Sequence, residues 1–267
     1  MKTNHYHYRV VVSYSGSNYF GWQDLGDAEN KATVQGAITQ ALRKICKYAD
    51  CTVSGASRTD AGVHAQGQVA KLSIPLEITA EKLQLGLNSL LAEDIRIRQC
   101  TTSHADFNPN RQSVSKKYRY YFSIDRVSSP LLHGIVAHIP SKLEGAQSDT
   151  DLDLESMRQA CKLFVGEHDF YSFASKDKNI SSTVRTITQF EINSTDTLGL
   201  DIDAHYFEIE GNGFLRHMIR YIVGAIFAVG RRGIGSEDIH HALSNRFEKK
   251  LSPKAVARGL HLIEITY

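Results

Sequence analysis

Tyrosines and valines fall on every second position from residue 6 to residue 14, and this period of two predicts a strand. After Thr33 the spacing changes. Apolar side chains over 34–48 recur three and four apart, which predicts a helix, with Thr33 placed to cap it. A short strand over 52–55 ends at Gly55, and 68–74 reads as the strand that returns. Thr79-Ala80-Glu81 opens a second helix that runs to about residue 91, and 95–100 is another strand. The order β-α-β-β-α-β is that of a ferredoxin-like unit, an antiparallel sheet with helices on one face.

The second half reads in a similar way. Strands are expected over 115–124, 183–193, 206–211 and 259–266, and helices over 156–164, 214–229 and 236–244. Gly166 is expected to stop the first of these helices, and 140–151 is a polar surface loop. The sequences of the halves show no repeat, so any likeness between them must be structural. The expected fold is α+β, built of two ferredoxin-like halves, residues 1–105 and 106–267.

Composition excludes more than it selects. With 42% hydrophobic and 22% charged residues in 267, the chain is ordinary for a globular protein. Four separated cysteines, Cys46, Cys51, Cys100 and Cys161, form no CxxC pair and read as reduced thiols of a cytoplasmic protein. The longest apolar stretch, 221–230, is too short to span a membrane. His5 with His7, and His240 with His241, lack further ligands at zinc spacing, so no metal is expected. A net charge of +2 does not by itself announce a nucleic-acid partner. Local clusters do more. Residues 211–236 hold Arg216, Arg220, Arg231 and Arg232 and no acid, and 111–126 hold Arg111, Lys116, Lys117, Arg119 and Arg126 against Asp125 alone.

The run Arg58-Thr59-Asp60-Ala61-Gly62-Val63-His64 lies in the loop between two expected strands. Glycines at its ends allow tight turning and close approach by a ligand. Asp60 is a candidate for presentation into a cleft, although pattern alone favours a turn-forming Asx residue. Arg220 sits in an almost wholly apolar helix, where a cation needs a partner or water. Tyr118 and Tyr120 share a strand face.

Arg58-Thr59-Asp60-Ala61-Gly62-Val63-His64-Ala65 resembles the signature of the tRNA pseudouridine synthase A family. Four further blocks resemble that family in order: Tyr14-Ser15-Gly16 with Phe20-Gly21-Trp22-Gln23, then Lys116-Lys117-Tyr118-Arg119-Tyr120, then residues 166–173, then residues 214–224. The resemblance implies two RRM-like halves joined around a central active-site cleft. It implies isomerisation of uridine to pseudouridine in the anticodon arm of tRNA, without cofactor, by a homodimer. Asp60 would be the nucleophile, attacking either uracil C6 or the sugar C1′. Arg58, His64, Tyr118, Arg216 and Arg220 would bind substrate. Among them, Arg220 would be the cation beside Asp60, Tyr118 the platform for a flipped base, and Arg58 the side chain that fills the vacated stack.

Ser57 stands where the family usually has glycine, which serine tolerates at negative φ. Phe107-Asn108-Pro109-Asn110-Arg111 departs from the family's arginine-bearing segment and leaves the target uridines open, while Ala92 and Val256 replace common prolines. Two rival readings are an idle RNA-binding protein of the same fold and a glycosidase. The second would need two opposed carboxylates where the loop offers one.

Overall fold

The computed structural model describes residues 5–24, 26, 31–140, 152–177, 180–195 and 204–267. The expected loop over 140–151 falls almost wholly outside them. By contacts the chain forms two compact units. The first comprises residues 1–114 together with 261–267, and the second residues 115–260. The division therefore lies at Val114 and Ser115 instead of residue 105, and the last strand counts with the first unit.

In the first unit β1 (Tyr6–Tyr14), α1 (Val34–Ile45), β2 (Thr52–Gly55), β3 (His64–Ile74), α2 (Ala80–Leu90) and β4 (Ile95–Thr102) follow the expected order. Antiparallel pairing gives β4-β1-β3-β2, the ferredoxin-like arrangement. Alternate residues Tyr8, Val10, Val12 and Tyr14 are buried, and Leu72, Ile74, Ile38, Leu42, Leu83 and Leu87 complete the core. Thr33 caps α1 by accepting from the Gly36 amide at 3.2 Å, and Thr79 caps α2 in the same way. The first helix ends at Ile45, earlier than its apolar spacing suggests, because Lys47 and Tyr48 are left-handed with φ of 50° and 64°.

The second unit holds β5 (Ser115–Ser123), β6 (Ala137–His138), α3 (Leu154–Lys162), β7 (Gly166–Asp169), β8 (Val184–Thr195), β9 (Ala204–Gly211), α4 (Met218–Gly230) and α5 (Ser236–Ser244). Its antiparallel sheet runs β5-β9-β8-β7, with β6 parallel on β5. β5, β9 and β8 thus stand in the order first, third, second, as β1, β3 and β2 do in the first unit, and the likeness of the halves is structural. Phe207 lies at the centre of the core, with ring centroids of Phe122, Phe227 and Phe190 at 5.0, 5.6 and 5.7 Å.

Two elements depart from the sequence reading. The apolar helix expected from residue 214 starts at Met218, because His217 is left-handed with φ 62°. Ser175 holds that bend, donating its amide to the Arg216 carbonyl at 3.0 Å and pairing its hydroxyl with His217 Nδ1 at 2.6 Å. Gly166, expected only as a helix stop, opens β7 at φ 113°. The last strand, β10 (Leu260–Thr266), pairs in parallel with the start of β3, His261 with His64 and Leu262 with Ala65. Among the described residues no helix is long and apolar enough to cross a membrane.

Phe207→Ala should cost about 3–5 kcal/mol, the range for truncating a fully buried phenylalanine. The urea midpoint should fall without a change in slope.

Candidate active site

The Asp60 loop is held from below by backbone, not by side chains alone. Gly16 packs so closely that a Cβ there would lie 2.1 Å from the Val63 carbonyl oxygen. Gly21 has φ 97°, and a Cβ on it would lie 2.5 Å from the Thr59 carbonyl oxygen. Such approach is open only to glycine. The Trp22 amide donates to the Thr59 carbonyl at 3.1 Å, and the Gly62 amide to that of Tyr19 at 3.3 Å. Tyr14 Oη and Thr59 Oγ1 lie 2.7 Å apart in the buried interior. The block Tyr14 to Trp22 is therefore the floor of the loop.

The loop's own turn runs from Asp60 to Val63. The Val63 amide donates to the Asp60 carbonyl at 3.1 Å, and Gly62 in third place has φ 76°. Upstream, the Gln68 amide group spans the neck: the Ser57 N–H donates to Oε1 at 3.1 Å, and Nε2 donates to the Ser57 carbonyl at 2.6 Å. Ser57 is not among the residues with positive φ, so serine fits where glycine was expected. Asp60 itself is half-buried and Arg58 exposed. His64 is only 2% exposed, stacks on His261 at 4.5 Å, and accepts from the Gly16 amide through Nδ1 at 3.2 Å. That acceptor role leaves Nδ1 without a proton. His64, expected against substrate, thus lies under the loop as one of its supports.

In the second unit Tyr118 is buried on β5, and Phe214 meets it edge-on at 5.3 Å. Arg220 is half-buried in the first turn of α4. Its Nε donates to the Ala255 carbonyl at 2.8 Å, and the Ala255 amide donates back to the Arg220 carbonyl at 2.8 Å. Arg216 is exposed in the approach to α4, outside the helix where its sequence neighbours suggested it lay. So Arg58 and Asp60 share one loop of the first unit and His64 opens the strand that follows it, while Tyr118, Arg216 and Arg220 belong to the second.

The basic clusters are less free than their sequence suggests. Lys117 pairs with Glu210 at 3.2 Å and Arg119 with Glu208 at 2.6 Å, across the β5–β9 ladder. Arg231 donates to the Pro140 carbonyl at 3.0 Å, and Arg232 lies 3.9 Å from Asp153. Arg111 and Arg126 are exposed. Lys116 is 8% exposed on the face that carries Tyr118, and burial, with help from Arg185, pushes its ammonium down to about 8. The sequence contained that signal, since residues 116 and 118 have the same parity on the strand.

Gly21→Ala should destabilise the protein by roughly 1–3 kcal/mol, since it adds both backbone strain and overlap with Thr59. Thermal melts at one pH measure it. Lys116 adds a pH dependence. Between about 8 and the ordinary 10.5 the unfolded chain holds a proton that the folded chain has shed, so stability from this group rises with pH. The melting temperature of wild type should therefore improve relative to Lys116→Met as pH climbs through that window. A relative fall would contradict the assignment.

The sequence profile of a family described as tRNA pseudouridine synthase matches residues 10–109 and 160–267. A protein of Desulfotalea psychrophila named tRNA pseudouridine synthase A 2 is 47% identical over 262 residues, which cover 97% of this chain and 98% of its own. A tRNA pseudouridine synthase A of Acetivibrio thermocellus is 34% identical over 259 residues, with coverage of 97% and 98%. A third, from Listeria welshimeri, is 34% identical over 261 residues, again covering 97% and 98%. The profile takes in the glycine floor and the Asp60 turn in its first stretch and the bent approach to α4 in its second, and the chain belongs to the tRNA pseudouridine synthase family.

Proposed function

We propose that this enzyme isomerises uridine in the anticodon arm of tRNA, with Asp60 as its nucleophile. The observation that carries the reading is a half-buried carboxylate on a turn fixed by backbone contacts on two sides. A covalent catalyst must be held within a fraction of an ångström of its target, and a turn locked on glycines supplies that. The uridine leaves its stack, the N1–C1′ bond breaks, the uracil turns, and C5 bonds to C1′ as its proton departs. Asp60 carries the covalent intermediate between these steps.

The remaining roles follow from chemistry and exposure. Arg58, exposed two residues from Asp60, fills the gap left by the flipped base. Tyr118 stacks on the uracil, an interaction worth about 1–3 kcal/mol per base. Arg220, whose Nε donates to the Ala255 carbonyl, is the cation that offsets the negative charge of Asp60. Arg216 reaches the RNA backbone from its exposed bend. His64 acts through the loop instead of touching RNA. A homodimer extends the basic surface to the size of a tRNA. Four free thiols fit a reducing cytoplasm.

Release of tritium from tRNA carrying 5-tritiated uridine measures the reaction directly. Asp60→Asn should lose turnover by about a thousandfold or more while still binding tRNA. Activity within tenfold of wild type would remove Asp60 from the nucleophile's role. Pseudouridine mapped only outside the anticodon arm would overturn the target.

A further inference from the structure

Two turns lie one on the other beneath Asp60. The upper is the turn from Asp60 to Val63. The lower runs from Gly16 to Tyr19, where the Tyr19 amide donates to the Gly16 carbonyl at 3.0 Å. Both ends of the lower turn touch the upper one. Gly16 packs against the Val63 carbonyl, and the Tyr19 carbonyl accepts from the Gly62 amide at 3.3 Å. The middle of the lower turn, Ser17 and Asn18, is exposed. A turn that faces water on its outer side keeps its register with a neighbour only where other groups hold it.

Asp94 supplies that hold, from outside every sequence block that pointed to the site. It stands just before β4, one place beyond the last pair of the β1–β4 ladder, Tyr14 with Ile95. The Ser15 amide donates to the Asp94 carbonyl at 2.9 Å, and the Ile95 amide closes a turn on the Ala92 carbonyl at 3.1 Å. The main chain at Asp94 is thus fixed before its side chain does anything. The carboxylate then reaches across the lower turn. Oδ1 accepts from the Tyr19 hydroxyl at 2.7 Å, and Oδ2 accepts from Asn18 Nδ2 at 3.3 Å. Hydrogen bonds to a carboxylate are roughly twice as strong as neutral ones. Burial, and after it the bond to Asp94, push the Tyr19 phenol up to about 12, so it keeps its proton and stays the donor at neutral pH. Tyr19 therefore links two things: its hydroxyl is on Asp94, and its carbonyl is under Gly62.

We propose that Asp94 is a positioning residue for Asp60. Through Tyr19 it holds the lower turn, and with it the carbonyl on which the upper turn rests, so that the Asp60 carboxylate meets the uridine at the right depth. A misplacement of about 1 Å in such a group costs on the order of a hundredfold in rate. The link to catalysis rests on the role of Asp60 proposed above, while the clasp belongs to the geometry of the first unit alone.

Single-turnover tritium release by the full chain in excess over tRNA, with tRNA affinity measured alongside, separates the chemical step from binding. Asp94→Ala should slow that step by about ten- to a hundredfold, with the dissociation constant for tRNA within about threefold of wild type. Asp94→Asn, whose amide oxygen still accepts from Tyr19, should return to within about threefold of the wild-type rate. Tyr19→Phe keeps the ring and the backbone and should slow the step as Asp94→Ala does. The double variant should be no slower than the worse single variant, because both changes cut one link. Exchange of the Gly62 amide hydrogen, followed by NMR, should quicken in Asp94→Ala. A wild-type rate in Asp94→Ala would overturn the proposal, and so would a loss that falls on affinity alone, an Asp94→Asn as slow as Asp94→Ala, or losses that multiply in the double variant. If Asp94→Ala does not fold, Tyr19→Phe decides by the same rate, affinity and exchange. Should Asp60→Asn keep its turnover, the nucleophile assignment fails, while Gly62 exchange still judges the clasp, and unchanged exchange would remove it.

Discussion

Backbone lying directly on backbone at Gly16 and Gly21 is the contact on which the rest of the first unit's chemistry depends. A side chain at either position would enter the carbonyl of Val63 or Thr59. Because the floor is made of main chain, it has few soft torsions, and the turn above it inherits that stiffness. The strand β1, the bend after it and the neck bridged by Gln68 all converge on a few residues around Asp60. Much of what looks like separate motif in the sequence is one object in space: the segment Tyr14 to Trp22 seats the turn that carries Asp60. His64 belongs to the same seat, with a nitrogen on Gly16 and a ring on His261.

The second unit solves a different problem, keeping cations usable near an apolar core. It does so by sorting them between the two faces of β5. Lys117 and Arg119 project to the polar face and are neutralised by acids on β9. Lys116 projects to the face of Tyr118, where burial strips it of water. Arg220 enters from α4 with its Nε already committed to a carbonyl. The useful charge of this unit is thus set by strand parity and helix placement, and net charge says little about it.

How much of this was legible in the sequence follows from the range of the forces involved. Helix α1 and its Thr33 cap, strand β1 and the loop position of Asp60 depend on neighbours within a turn or two, and the pattern displays them. The start of α4 depends on Ser175, some forty residues away, which pins a left-handed His217, so an apolar run whose pattern predicts helix from residue 214 becomes helix four residues later. Lys117 and Arg119 look like free cations because Glu210 and Glu208 lie about ninety residues downstream. β6 and β7, of two and four residues, are too short for periodicity to register. The alternation that buries Lys116 with Tyr118 was visible, but a lysine in a basic run is ordinarily read as solvated. The expectation of a catalytic role for Asp60 came from resemblance. Its turn alone pointed to a structural aspartate.

The parallel pairing of β10 with β3 has a consequence for how the protein is made. His261 and Leu262 complete the strand edge that begins at His64, yet they follow it by roughly two hundred residues. A chain emerging from the ribosome builds the Asp60 turn early and cannot brace His64 until the whole second unit has been synthesised. The first unit is in this sense discontinuous, closed by the last strand to arrive. A growing polypeptide therefore carries the Asp60 turn on its glycine floor with one brace missing, and the seat is complete only when the tail returns to the strand where the loop ends.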